Sequence, residues 1–174
     1  MTLEQLNIVF QLVGTLGVIG SLIFVGLQVR QNTKATRVQV QENMTNGYIS
    51  VAQVLIDHAE MFTRGIAATR ESFASFSDAD KLIYFGLIFS IFKHFENIHS
   101  QRERGFIDNE SWTAWSEHVL MYFNQPGVKM WWEWRRGNFN PRFRSFVESS
   151  PAPKVPTMVE IMRGASCHCG AMTE

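Results

Sequence analysis

Two short stretches of this sequence hold side chains suited to metal or proton chemistry. Glu96 and His99 form an E-x-x-H pair, whose i,i+3 spacing puts a carboxylate and an imidazole on one helix face. Helical di-iron sites use this pair twice, with two further carboxylates from other helices. Only one copy occurs here, so a complete site would need a second subunit. His94 and Glu103 are near in sequence, but His94 stands five residues from His99 and points elsewhere on a helix. The pair therefore reads first as structural. Near the C-terminus, Cys167-His168-Cys169 sets three metal-capable side chains in a row. Tetrahedral zinc sites space their cysteines as C-x₂₋₄-C, because a single intervening residue strains chelation by both sulfurs. The same thiols could instead be redox-reactive. They are too close together to staple a fold.

No other pattern supports catalysis. There is no serine in a nucleophile elbow, no glycine-rich loop to cradle phosphates and no HExxH. The sequence leans away from an enzyme and predicts no resident cofactor. The alternative is a metal- or thiol-dependent enzyme or redox protein that uses Glu96, His99, Cys167, His168 and Cys169.

A third stretch is physical rather than chemical. In Val128-Lys129-Met130-Trp131-Trp132-Glu133-Trp134-Arg135-Arg136, helical periodicity lines Lys129, Glu133 and Arg136 along one face and turns Met130, Trp131 and Trp134 away from it. Arg142 and Arg144 follow, interleaved with Phe139, Phe143 and Phe146. Tryptophan beside cations on a short amphipathic helix suits a bilayer interface, which would engage Lys129, Trp131, Trp132, Trp134, Arg135 and Arg136. The competing reading puts the tryptophans in a core, and it is preferred because an all-α domain of this size needs large residues to close its interior.

The elements that would carry these residues begin with an N-terminal span. Gln5 to Val29 contains no charged residue, and its centre reads IVFQLVGTLGVIGSLIFVGL from Ile8 to Leu27. At about 1.5 Å per residue, roughly 20 such residues cross a ~30 Å hydrocarbon layer. A signal peptide is disfavoured by the start MTLEQLN, which lacks a cation, and by the lack of an A-x-A cleavage pattern. Arg30, Lys34 and Arg37 follow the span with no acid until Glu42, whereas Glu4 precedes it. The positive-inside bias then predicts a single-pass protein with its N-terminus outside and its C-terminal domain cytoplasmic. Those cations would meet anionic head groups at about 1 kcal/mol each. Gly14, Gly17, Gly20 and Ser21 lie near one face, and small faces of this kind let membrane helices approach closely.

Composition agrees with a protein that hides apolar surface in lipid or a partner. Of 174 residues only 18% are charged, with zero net charge, while 13% are aromatic, including five Trp and fourteen Phe. Charge neutrality gives no reason to expect a nucleic-acid partner. The expected partners are the bilayer and either a second copy of the chain or another membrane protein.

Beyond the membrane the periodicity is helical throughout. Val40, Met44, Tyr48, Val51, Leu55 and Phe62 form one seam, which predicts a helix from the membrane to about Phe62, bent at Gly47 and stopped by Gly65. Ser77-Asp78-Ala79-Asp80 caps a second helix closed by Gly105, and its apolar middle, Leu82 to Phe92, is too short to cross a bilayer and predicts a buried central helix. Asp108 caps a third helix with Trp112, Trp115, Val119 and Tyr122 on one face. Asn124-Gln125-Pro126-Gly127 breaks the chain, a short helix runs to Arg136 before Gly137, and Asn140-Pro141 starts one more. Pro151, Pro153 and Pro156 predict a mobile tail. The expectation is an all-α protein: an anchor over 1–29, a helical domain over 30–148 and a tail over 149–174.

Three stretches, SLIFVGLQVRQNTKATR, HFENIHSQRERGFIDNESW and PGVKMWWEWRRGNFNPRFRSFV, resemble a family of short bacterial proteins with a hydrophobic N-terminal helix and a helical domain. The resemblance covers most of residues 18–147 and implies this layout. It implies no activity.

Overall fold

The computed structural model describes residues 2–164, and among them every regular element is helical. The chain divides after Gln41 into two units. The first is the N-terminal part of helix α1, Leu3–Asp57. Its hydroxyls fold back on the helix: Thr15 donates to the Gln11 carbonyl at 2.8 Å, and Ser21 to that of Gly17 at 2.8 Å. Thr33 and Thr36 do the same one turn back. These hydroxyls are satisfied by the helix itself.

The second unit begins with residues 42–57 of α1 and continues through α2 (Ala59–Ile66), α3 (Arg70–Ala74), α4 (Asp78–Glu103), α5 (Asn109–Phe123), α6 (Pro126–Arg135), a 3₁₀ turn (Arg136–Asn138), α7 (Pro141–Ser149) and α8 (Met158–Met162). The starts follow the capping residues. Ser77, Asp108 and Asn140 accept from backbone N–H groups of the first turns of α4, α5 and α7, and Pro126 and Pro141 open α6 and α7. Gly105 takes φ +76°, the left-handed conformation that ends α4 without a Cβ clash.

Three expectations change. The helix seam does not run unbroken to Phe62, because α1 stops at Asp57 and the chain turns at His58. No cation lies in the last turn of α1, where Asp57 opposes the helix dipole, while Asp57 and Glu60 favour the start of α2. The turn lets Met61, Phe62, Gly65 and Ile66 enter the core. The buried middle of α4 is also one-sided: Tyr84, Leu87, Ile88, Ile91 and Phe92 are buried, but Leu82 is 75% exposed. Finally, the chain beyond Pro156 is not structureless. Thr157 and Glu160 form a capping box on α8, Val159 is buried, and its N–H donates to Oε1 of the fully buried Gln125 at 3.2 Å.

Helix α4 is the centre of this unit, packing against α2, α5 and α7, while α6 packs against α2 and α5. The α2–α6 contact depends on two glycines. A Cβ on Gly127 would stand well inside van der Waals contact with the Gly65 carbonyl oxygen, and one on Gly65 would enter the Tyr84 ring. Tyr84 is wholly buried beside this crossing, its hydroxyl has no partner, and burial raises its pKa. Gly127→Ala is expected to lower unfolding stability by at least about 2 kcal/mol through overpacking. Tyr84→Phe, which removes an unpaired buried hydroxyl, should leave stability unchanged or raise it by up to about 1 kcal/mol. Thermal melts of both variants in mild detergent check the contrast.

Candidate functional site

The largest uncovered feature is the apolar stretch of α1. Thirteen large apolar side chains from Ile8 to Val29 are exposed, and the most apolar 18-residue window, with mean hydropathy 2.3, has no buried residue. This helix is long and apolar enough to cross a membrane. Gly14, Gly17 and Gly20 stand in open space, where a Cβ would meet nothing within 4 Å, and Ser21 is exposed beside them. Arg30, Lys34 and Arg37 follow, all exposed. At 100° per residue the three cations fall within about 60° of one helix face.

Glu96 and His99 share α4 but make separate contacts. Oε2 of Glu96 accepts from Lys93 Nζ at 2.7 Å, and Oε1 accepts from the backbone N–H of Asn140 at 2.6 Å. Lys93 also donates to the Asn138 carbonyl at 2.9 Å. The carboxylate therefore ties α4 to the entry of α7, and both its oxygens are engaged. His99 is buried among Phe146, Trp112 and Phe143, at ring distances of 5.3, 5.6 and 5.7 Å. Burial lowers its pKa, with Glu103 opposing that shift and Arg142 adding to it. Among the described residues no three of His, Cys, Asp and Glu converge on a metal position. Cys167, His168 and Cys169 lie outside the described residues.

The tryptophan stretch splits between the two readings. Trp131 and Trp132 are buried in an aromatic cluster around Phe92, at 5.6 and 5.4 Å, with Phe139 stacked on Trp132 at 5.0 Å. Trp132 Nε1 donates to Glu148 at 3.0 Å. For these two residues the structure shows the core packing that the sequence reading prefers, with α6 packed against α2 and α5. Trp134 remains 47% exposed, stacked on Phe85 at 5.7 Å. Arg135 lies over the same Phe85 ring and Lys129 over Phe123, while Arg136 pairs with Glu148 at 3.2 Å.

One cluster has no counterpart among the sequence motifs. Tyr48 of α1 meets His94 of α4 and Trp115 and His118 of α5 at ring distances of 6.2, 5.6 and 5.1 Å. Its hydroxyl lies 2.7 Å from His118 Nε2. A Cβ on the preceding Gly47 would stand 2.8 Å from the His94 ring, so this glycine, where the sequence predicts a bend, lets α1 approach α4 closely, and α1 stays helical through it. Tyr48 and Trp115 are visible in sequence as seam residues, but histidine spacing on two separate helices gave no signal of their convergence.

Trp131→Ala is expected to cost about 3–5 kcal/mol by cavity formation, against less than about 2 kcal/mol for the half-exposed Trp134→Ala. Glu96→Ala should cost about 0.5–1.5 kcal/mol, because it removes the acceptor of the exposed Asn140 N–H. Chemical denaturation of the detergent-solubilised variants measures all three. No family model, curated protein or solved structure matches this chain.

Proposed function

We propose that this protein is a membrane-tethered helical scaffold, anchored by α1 and acting through association with itself or with a membrane-protein partner. The observation that carries the reading is the uncovered apolar stretch from Ile8 to Val29. Covering an apolar side chain is worth about 1.5–3 kcal/mol, so thirteen of them amount to roughly 20–40 kcal/mol. That exceeds the ~5–15 kcal/mol stability of an ordinary domain, and lipid provides the cover that the chain itself does not. The back-bonded hydroxyls of Thr15 and Ser21 support the same reading, since they leave the helix no unpaired hydroxyl donors at these positions.

In this proposal the cations Arg30, Lys34 and Arg37 lie on the cytoplasmic side, and the helical domain follows them there. Gly14, Gly17, Gly20 and Ser21 form the face through which two anchors approach.

The chain is expected to stay with membranes through alkaline carbonate extraction and to leave them only with detergent. Release by carbonate would refute the anchor. Native mass in mild detergent is expected to show an assembly larger than one chain, and replacing both Gly17 and Ser21 with Leu should weaken it at least about tenfold, or 1.4 kcal/mol. An unchanged assembly would remove that face from the contact.

A further inference from the structure

The stretch of α1 over residues 42–57 is held to the second unit by a narrow seam. Met44 and Leu55 are buried in it, and Gly47, Tyr48, Val51 and Ala52 are half-buried, while the remaining residues are exposed. Tyr48 hydrogen-bonds α5 from this seam, with its hydroxyl 2.7 Å from His118 Nε2 and a second side-chain bond to Tyr122. His118 is half-buried, with four rings against it: Tyr48 from α1 at 5.1 Å, Phe95 from α4 at 5.8 Å, and Trp115 and Tyr122 from its own helix at 6.2 and 5.1 Å.

We propose that His118 and Tyr48 form a proton-sensitive clasp, closed when the imidazole is neutral, that frees residues 42–57 of α1 from α4 and α5 when His118 takes up a proton.

The chemistry follows from what surrounds the ring. The titratable groups whose rings lie against it are the phenols of Tyr48 and Tyr122, and the His94 imidazole in turn lies against Tyr48. Glu117 is the adjacent residue in the chain, but its carboxylate is engaged by the Lys154 backbone N–H at 2.8 Å. Burial lowers the His118 pKa, and no carboxylate or cation acts on it. A neutral imidazole fits this site, and an imidazolium adds a charge that water stabilises better than the rings do. Because the docked state has the lower pKa, it binds fewer protons than the open one. Docking is therefore at full strength above the ordinary histidine pKa of about 6.5 and weakens as pH falls through it. His94 is shifted in the same direction by burial, so its charging works with His118 rather than against it.

The test is hydrogen exchange, read by mass, on the intact protein in mild detergent at about pH 7.5 and about pH 5, with intrinsic rates corrected for pH. For the native chain, exchange over 44–55 is expected to rise at least about tenfold on acidification, while 84–98 of α4 stays protected. His118→Gln keeps a side chain able to hydrogen-bond Tyr48 but never charges, and it should abolish most of that rise. His118→Phe, which keeps the ring volume, serves if the glutamine variant folds poorly, and should show the same loss of pH dependence. Unchanged protection of 44–55 between the two pH values overturns the proposal. So does a native-like pH response in both His118 variants, or loss of protection in α4 together with α1, which would mark global acid unfolding.

Discussion

Thirteen large apolar side chains between Ile8 and Val29 stand in the open on α1. Soluble chains seldom expose contiguous apolar patches beyond about 300–600 Å², so this row of side chains is the feature that sets the first unit apart. The constraint is local to the first unit, because the domain closes its own core without drawing on these residues: Tyr84, Ile88, Phe92, Phe95 and Trp131 are each almost wholly buried. Among the described residues, no part of the chain covers this stretch of the first unit.

The second unit meets the opposite problem, too few helices of ordinary length around one long one. It solves this with ring volume. Phe92 touches Phe95, Trp131, Trp132 and Phe139, and Phe139 stacks on Trp132. Aromatic side chains bury about 150–250 Å² each, so a few of them fill the space around α4 that smaller residues would leave open. The cost falls on polar atoms: Tyr84 Oη and Trp131 Nε1 are buried without partners. Where helices must come closest, at Gly65 and Gly127, the chain gives up side chains altogether.

Polar side chains hold the connections rather than the core. Glu96 and Lys93 receive and donate across to Asn140 and Asn138, which seats the start of α7. Gln125 donates to Met121 and accepts from Val159, so one buried amide joins the end of α5 to α8. Each satisfies backbone groups that a helix terminus leaves unpaired. The E-x-x-H pair on α4 is an instance of this rule: its glutamate secures a helix start, and its histidine packs among rings.

How much was legible in sequence depends on the range of the interaction. The charge-free run from Gln5 to Val29, the caps Ser77, Asp108 and Asn140, and the stop at Gly105 are set by neighbours within a few residues, and a linear reading recovers them. The all-helical class follows from the same local terms. Tertiary structure decided what local patterns leave open. The turn at His58 is favoured by the burial of Phe62 and Ile66 against elements far along the chain, and the fixed position of Val159 depends on Gln125, 34 residues earlier. Trp131 and Trp134 are alike in sequence, yet only the packing of α6 buries one and exposes the other. The meeting of Tyr48 with His94, Trp115 and His118 joins three helices. Periodicity specifies which face of a helix is apolar, but the partner that covers that face is chosen by the fold as a whole.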